Sequence, residues 1–206
     1  MTEKEKMLKG MIYDPNDSEL AELRRRAHIL SKKYNDTFED ETEKRKAILD
    51  ELIPQKSDGV YLQGPIFFDY GVFTKLGKNF YANFNLTVLD VCEVTIGDNV
   101  FVGPNVSLLT PKHPLCHEDR NLYVCDKGYV TDKEYGCPIV IGNNCWIAGN
   151  VTVLAGAKIG DGCVIGAGSV VTGEIPPNSL AYGNPCRVVR QITEKDRLMY
   201  KKELFE

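Results

Sequence analysis

Two of the chain's three histidines fall in one short stretch, TPKHPLCHEDR, residues 110–120. An imidazole titrates near neutral pH, which makes histidine the natural general base for proton abstraction. His113, between Pro111 and Pro114, is the candidate for that role. By composition alone it also reads as a surface histidine in a flexible loop. The seven cysteines suggest two other chemistries. Cys116, Cys125 and Cys137 can supply soft metal ligands beside His113 and His117, but no C-x-x-C pair is present and His28 lies on a distant helical segment. Cys92 and Cys145 can act as nucleophiles, or serve as small core residues.

What decides among these readings is the scaffold around them. Aliphatic residues recur every six positions, at Ile96, Val102 and Leu108, then at Ile141, Ile147, Val153, Ile159, Ile165 and Val171. Glycine follows at 97, 103, 142, 160 and 166, and a small or apolar residue stands two positions before each slot. A helix repeats near 3.6 residues and an alternating strand every 2, so a fixed step of six fits neither. It fits a short strand and a corner, repeated three times per turn of a triangular coil. The aliphatic side chain points inward, the glycine lets the chain turn, and each coil hydrogen-bonds to the next. The cysteines at 145 and 163 then fall on core positions.

The pattern breaks after Leu108. The next slot is Pro114, and the step to Ile141 is 33 residues, 27 more than the repeat needs. The extra residues leave the prism as a loop, and long loops of this kind are often functional. His113 sits at the loop's root, where a rigid coil can hold it.

The flanks read differently. DSELAELRRRAHILSKKYN and DETEKRKAILDELI carry apolar residues at helical spacing, with Asp17 or Ser18 capping the first helix and Asp40 the second. The pair is expected to cover an open end of the coil, where unpaired strands invite aggregation. The organisation predicted is a helical segment at 1–58, a β-helix at 59–190 with an excursion loop about 110–138, and a short capped helix within 191–206.

Composition narrows the function. A net charge of −4 with no long basic block argues against nucleic-acid or anionic-membrane binding. No apolar run approaches a membrane span, and MTEKEKMLKG is not followed by the apolar stretch of a secretory signal. An odd number of cysteines fits reduced thiols, so a cytoplasmic protein is expected.

The segments EKEKMLKGMIYDP, GKNFYANFNLTVLDVCEVTIGDNVFVGPNVSL, the pair His113-Pro114, IGNNCWIAGNVTV and VIGAGSVVTGEIPPNSLAYGNPCRVVR together resemble the maltose and galactoside O-acetyltransferases. The resemblance spans nearly the whole chain. It implies a mainly β fold, a left-handed parallel β-helix, assembled as a homotrimer with acetyl-CoA bound between adjacent prisms. It implies a ternary complex in which His113 takes the proton of a sugar hydroxyl and Asn83 orients the reacting groups; Asn83 reads equally as a rung in a corner ladder of amides. The backbone N–H of Gly149 matches the oxyanion donor, and Trp146, Ala167, Thr172, Arg187 and Arg190 match coenzyme contacts. Asp17, Arg24, Asp69 and Asp90 match the acceptor region, with Asp14 competing for the place of Asp17. No metal is expected.

Three departures from the family pattern stand out: Gly173 where a lysine is common, Val91 in place of a second acid, and a longer loop after His113. The first removes a phosphate contact. The other two put the acceptor's identity in doubt. Two rival readings keep the scaffold: a zinc enzyme like the γ-class carbonic anhydrases, and a non-catalytic binding protein.

Overall fold

The computed structural model describes residues 1–205, and the strands between Gln55 and Gln191 build a parallel β-solenoid of about six turns, wound left-handed. Three flat faces are built by strands that recur once per coil. The first face stacks Gln55–Lys56, Thr74–Leu76, Val94–Ile96, Ile139–Ile141, Lys158–Ile159 and Glu174–Ile175. The second stacks Tyr61–Leu62, Tyr81–Ala82, Phe101–Val102, Trp146–Ile147, Val164–Ile165 and Ser179–Tyr182, and ends on the antiparallel strand Arg187–Gln191. The third stacks Ile66–Phe68, Leu86–Leu89, Ser107–Leu109, Thr152–Leu154 and Val170–Val171. All nine aliphatic slots of the hexad point inward, none more than 3% exposed. They form one core with Cys145 and Cys163.

Where the coils differ in length, they differ at one place. The inward residues step by six from the first face to the second and again to the third, as in Leu76, Ala82, Val88 and in Ile96, Val102, Leu108. The return from third face to first varies: eight residues from Phe68 to Leu76 and from Val88 to Ile96, 33 from Leu108 to Ile141, six from Val153 to Ile159 and four from Val171 to Ile175. This third corner carries every irregularity of the solenoid, the long loop included.

The other two corners are regular because their chemistry repeats. Asn79, Asn99 and Asn144 line one of them and Asn85, Asn105 and Asn150 the other, all in the left-handed region with φ of 54–62°. Asparagine tolerates that conformation better than other side chains with a Cβ. Their amides bond up the stack, at 3.0 and 3.2 Å in the first ladder and 2.8 and 3.1 Å in the second. The glycines after the inward slots have a different purpose from the one expected. Gly97 has an ordinary φ, but a Cβ there would lie 2.5 Å from Asn143 Oδ1 and 2.8 Å from its backbone N. It is the approach of the next coil, not the turn, that requires glycine.

Three helices close one end: α1 (Glu3–Leu8), α2 (Ser18–Asn35) and α3 (Thr42–Leu52). α1 is additional to the predicted pair; Thr2 and Glu5 form a reciprocal cap, and Met7 is buried with Tyr13, Leu20 and Tyr70. Asp17 caps α2 as expected. Asp40 does not cap α3; Glu41 holds that position and turns its carboxylate back to Phe38 N. Leu30, Tyr34, Leu49 and Leu52 continue the solenoid core. The exposed edge of the first coil is satisfied by side chains: Tyr34 OH donates to Leu62 O at 2.5 Å, and buried Arg45 donates to the carbonyls of Leu62 and Gln63. At the other end, Thr193 is the cap, its N–H donating to Asp196 Oδ2 at 2.8 Å, but the tail forms short 3-10 turns in place of the expected α-helix.

The excursion is also more ordered than a plain loop. Pro111–Lys112 pairs with Tyr135–Gly136 at its root, Tyr123–Val124 pairs with Val130–Thr131 further out, and one helical turn, α4 (His117–Arg120), lies between.

Candidate active site

The enlarged third corner needs its own hydrogen-bonding solution, and Asp90 provides it. Its carboxylate accepts from Tyr70 N at 2.9 Å, Gly71 N at 3.2 Å and Thr74 Oγ1 at 2.9 Å, all on the preceding coil. Asp90 is fully buried, so it is not open to a sugar as the acceptor assignment required. It braces the segment that presents Asp69 and Tyr70. Burial pushes its carboxyl up to about 6 despite the three donors.

Asp69 is largely enclosed, and burial raises its carboxyl above the usual range. His28 Nε2 lies 3.7 Å from its Oδ1. Beside them a cavity of about 500 Å³, in the range of small-molecule sites, opens between α2 and the third face, walled by His28, Lys32, Phe67 and Leu89 among others. Arg24 reaches toward the same corner from α2 and donates to Pro15 O at 3.1 Å and Tyr70 OH at 3.2 Å. The phenol of Tyr70 is pushed up to about 12, mainly by burial. Asp17 uses one carboxylate oxygen on Glu19 N at 3.1 Å as a helix cap. Asp14 is not available to a ligand: Tyr129 OH, Thr131 Oγ1 and Asn16 N all donate to it.

His113 stands at the root of the loop with its ring half-exposed, Nδ1 3.4 Å from Asp132 Oδ2. Behind it lies Glu134, whose carboxyl is raised by burial, while Tyr13 and the His113 imidazole pull it the other way. Asp132, Glu134, Tyr13 and Tyr70 went unrecognised in the sequence. A carboxylate in a charged loop gives no signal of which side chain it will face. The corner thus carries a candidate base with a carboxylate near its Nδ1, a pocket edged by Asp69 and His28, and Arg24 bonded to Tyr70.

The remaining candidates lie elsewhere. Asn83 sits at the corner between second and third faces; its Oδ1 accepts from Phe84 N at 2.7 Å, and the corner ladder runs through Asn85 instead. Gly149 shares that corner, and among the described residues nothing accepts its N–H. Ala167 is exposed there, one coil further on. Trp146 stands outward from the second face, 54% exposed, in register with Phe101 and, through it, with Tyr81. Thr172 is exposed at the end of the third face. Arg187 and Arg190 project from the last strand; Arg190 is held bidentate by Asp196, at 2.7 and 2.8 Å. A whole face separates Asn83 and Gly149 from His113 within one chain.

The three histidines face separate acidic partners: Asp69, Asp132 and Glu118. No group of three or more His, Cys, Asp or Glu able to hold a metal ion occurs among the described residues. All seven thiols are free. Burial pushes Cys92 and Cys145 up to about 11, which disfavours the thiolate a nucleophile needs. Among the described residues no helix is long and apolar enough to cross a membrane.

A three-sided coil with asparagine and glycine corners and a histidine-bearing excursion is the architecture of the hexapeptide-repeat transferases. Residues 138–173 match the bacterial transferase hexapeptide model, and residues 6–56 match the maltose acetyltransferase hexapeptide capping motif. The chain is 41% identical to the galactoside O-acetyltransferase of Escherichia coli K12 over 97% of its own length and 94% of the relative's. A maltose O-acetyltransferase from Clostridium difficile 630 superimposes with a TM-score of 0.82 at 45% identity, covering 94% of this chain and 99% of that one. A galactoside acetyltransferase in complex with coenzyme A gives a TM-score of 0.86 at 41% identity, covering 95% and 94%. The chain belongs to the maltose and galactoside O-acetyltransferase family.

Proposed function

We propose that the protein is a cytoplasmic acetyl-CoA-dependent O-acetyltransferase that acetylates a hydroxyl of a sugar or glycoside in a ternary complex. His113 Nε2 takes the hydroxyl proton as the oxygen attacks the thioester carbonyl. The tetrahedral intermediate collapses with cleavage of the C–S bond, and the imidazolium returns its proton to the departing CoA sulfur. No covalent enzyme intermediate forms. Holding both substrates in line supplies much of the rate, and proton transfer supplies about 10²–10⁴-fold more. The Gly149 N–H receives the developing oxyanion, and Asn83 orients the reacting groups. Trp146, Ala167 and Thr172 line the coenzyme's path, with Arg187 the less encumbered of the two arginines offered to its phosphates. Asp69, Arg24 and the free oxygen of Asp17 recognise the acceptor.

The observation that carries this reading is the division of the site. His113 and the acceptor residues occupy the third corner, whereas Asn83 and Gly149 occupy another. Each chain holds half a site, and a ring of copies joins one chain's third corner to its neighbour's second. A closed trimer is the assembly inferred. The test is thiol release from acetyl-CoA over a panel of mono- and disaccharides. His113→Ala should keep the fold and lose at least about 10²-fold in rate; a variant with near-normal turnover removes His113 from the mechanism.

A further inference from the structure

The loop after His113, longer than the family pattern, has no part in the mechanism above, yet the structure fastens it tightly. Thr131 Oγ1 donates to Asp14 Oδ1 at 2.5 Å, and Tyr129 OH donates to the other oxygen of the same carboxylate. Asn16 Nδ2 donates to Val130 O at 3.2 Å. Tyr13 N donates to Glu134 O at 3.0 Å. Thr131 is completely buried. The backbone on both sides of Asp132 is therefore tied to residues 13–16, while the Asp132 side chain is left over, 3.4 Å from His113 Nδ1. Lys133, between the two acids, turns away to Asp119. The clasp serves to deliver one carboxylate to one imidazole nitrogen.

We propose that Asp132 is the positioning residue for His113: it accepts from Nδ1–H and so keeps Nε2 unprotonated and aimed at the acceptor hydroxyl. A neutral imidazole has a single proton, and the nitrogen that lacks it is the one able to act as base. A carboxylate on the far nitrogen fixes both the tautomer and the ring's orientation, and it stabilises the imidazolium formed during the reaction. The 3.4 Å separation closes to hydrogen-bond length by a small rotation of the ring, as substrate-free sites commonly tighten on binding. Glu134 is the second acid facing the ring, but among the described residues Asp132 is the one whose carboxylate comes within 4 Å of a His113 ring nitrogen.

This inference rests on His113 being the base, and the experiment separates the two claims. Acetyl-transfer kinetics with the best acceptor from the sugar panel are measured for His113→Ala, Asp132→Ala and Asp132→Glu, each first checked for native circular dichroism and assembly. Ring ¹⁵N shifts of His113 are recorded above its titration. Asp132→Ala should lower kcat by about tenfold or more with acceptor KM nearly unchanged. It should also move the His113 ¹⁵N pattern from the Nδ1–H form toward the Nε2–H form, and Asp132→Glu should restore part of both. Wild-type kcat and an unchanged ¹⁵N pattern in Asp132→Ala, in a protein that His113→Ala inactivates, overturn the positioning role and leave the base in place. An active His113→Ala overturns both.

Discussion

Asp90 allows the electrostatics of the third corner to be tested without any ligand. Its carboxyl is pushed up to about 6 by burial, against an ordinary aspartate value near 3.9 in the unfolded chain. The folded state thus binds this proton more tightly than the unfolded state does. The stability it contributes is complete below about pH 4 and is lost as pH rises through about 6. A shift of about two units at about 1.4 kcal/mol each gives about 3 kcal/mol across that window. Asp90→Asn keeps the shape and removes the titration. Denaturant unfolding of both proteins between pH 4 and 7.5, at one fixed protein concentration because assembly feeds into apparent stability, isolates the term as a difference. The wild type should gain about 3 kcal/mol on the variant as pH falls from 7 to 4. A flat difference, or a wild type that loses ground on acidification, would mean that the three donors outweigh burial and that the argument is wrong. Asp90→Ala is harsher. It strands the N–H groups of Tyr70 and Gly71 and the Thr74 hydroxyl, at about 1–3 kcal/mol each where no water enters. It should also raise the acceptor KM by loosening Asp69.

A divided site predicts complementation. His113→Ala and Asn83→Ala chains, each inactive alone, should regain about a quarter of wild-type activity when co-assembled at equal amounts, since one site in four then draws both residues intact from neighbouring copies; rates no higher than the sum of the separate variants would place the two residues in different sites. Gly97→Ala should cost about 1–3 kcal/mol by thermal or denaturant unfolding, because its Cβ meets Asn143 at 2.5 Å. Gly173→Ala, where a Cβ meets nothing within 4 Å, should change stability by less than about 0.5 kcal/mol.

The core was legible because period and burial coincide. Every slot from Ile96 to Val171 is filled by a residue that has no other reason to recur every six positions, and each lies inside. The helical cover at α2 and α3 was legible from apolar spacing, but α1 was not. Six residues are too few to show a period, and α1 persists because Met7 docks against Tyr13 and Tyr70, contacts made across the fold. The same limit governs the site. His113 was conspicuous because it interrupts a pattern. Asp90 was misread because an acid at a corner can face water or the preceding coil, and what turns it inward is a set of donors some twenty residues earlier. Asp132 and Glu134 depend on how the loop folds back onto residues 13–16, which no local signal encodes.

Because two corners of the prism keep a constant step while the third ranges from four to 33 residues, the solenoid behaves like a frame with one open socket. Segments of any length can be exchanged there without shifting the registry of the coils above and below. New acceptor preferences can therefore be sought in the laboratory by exchanging residues 115–128, the part of the loop outside its clasp to residues 13–16, while Asp132, the corner that carries Asn83 and Gly149, and the core stay untouched.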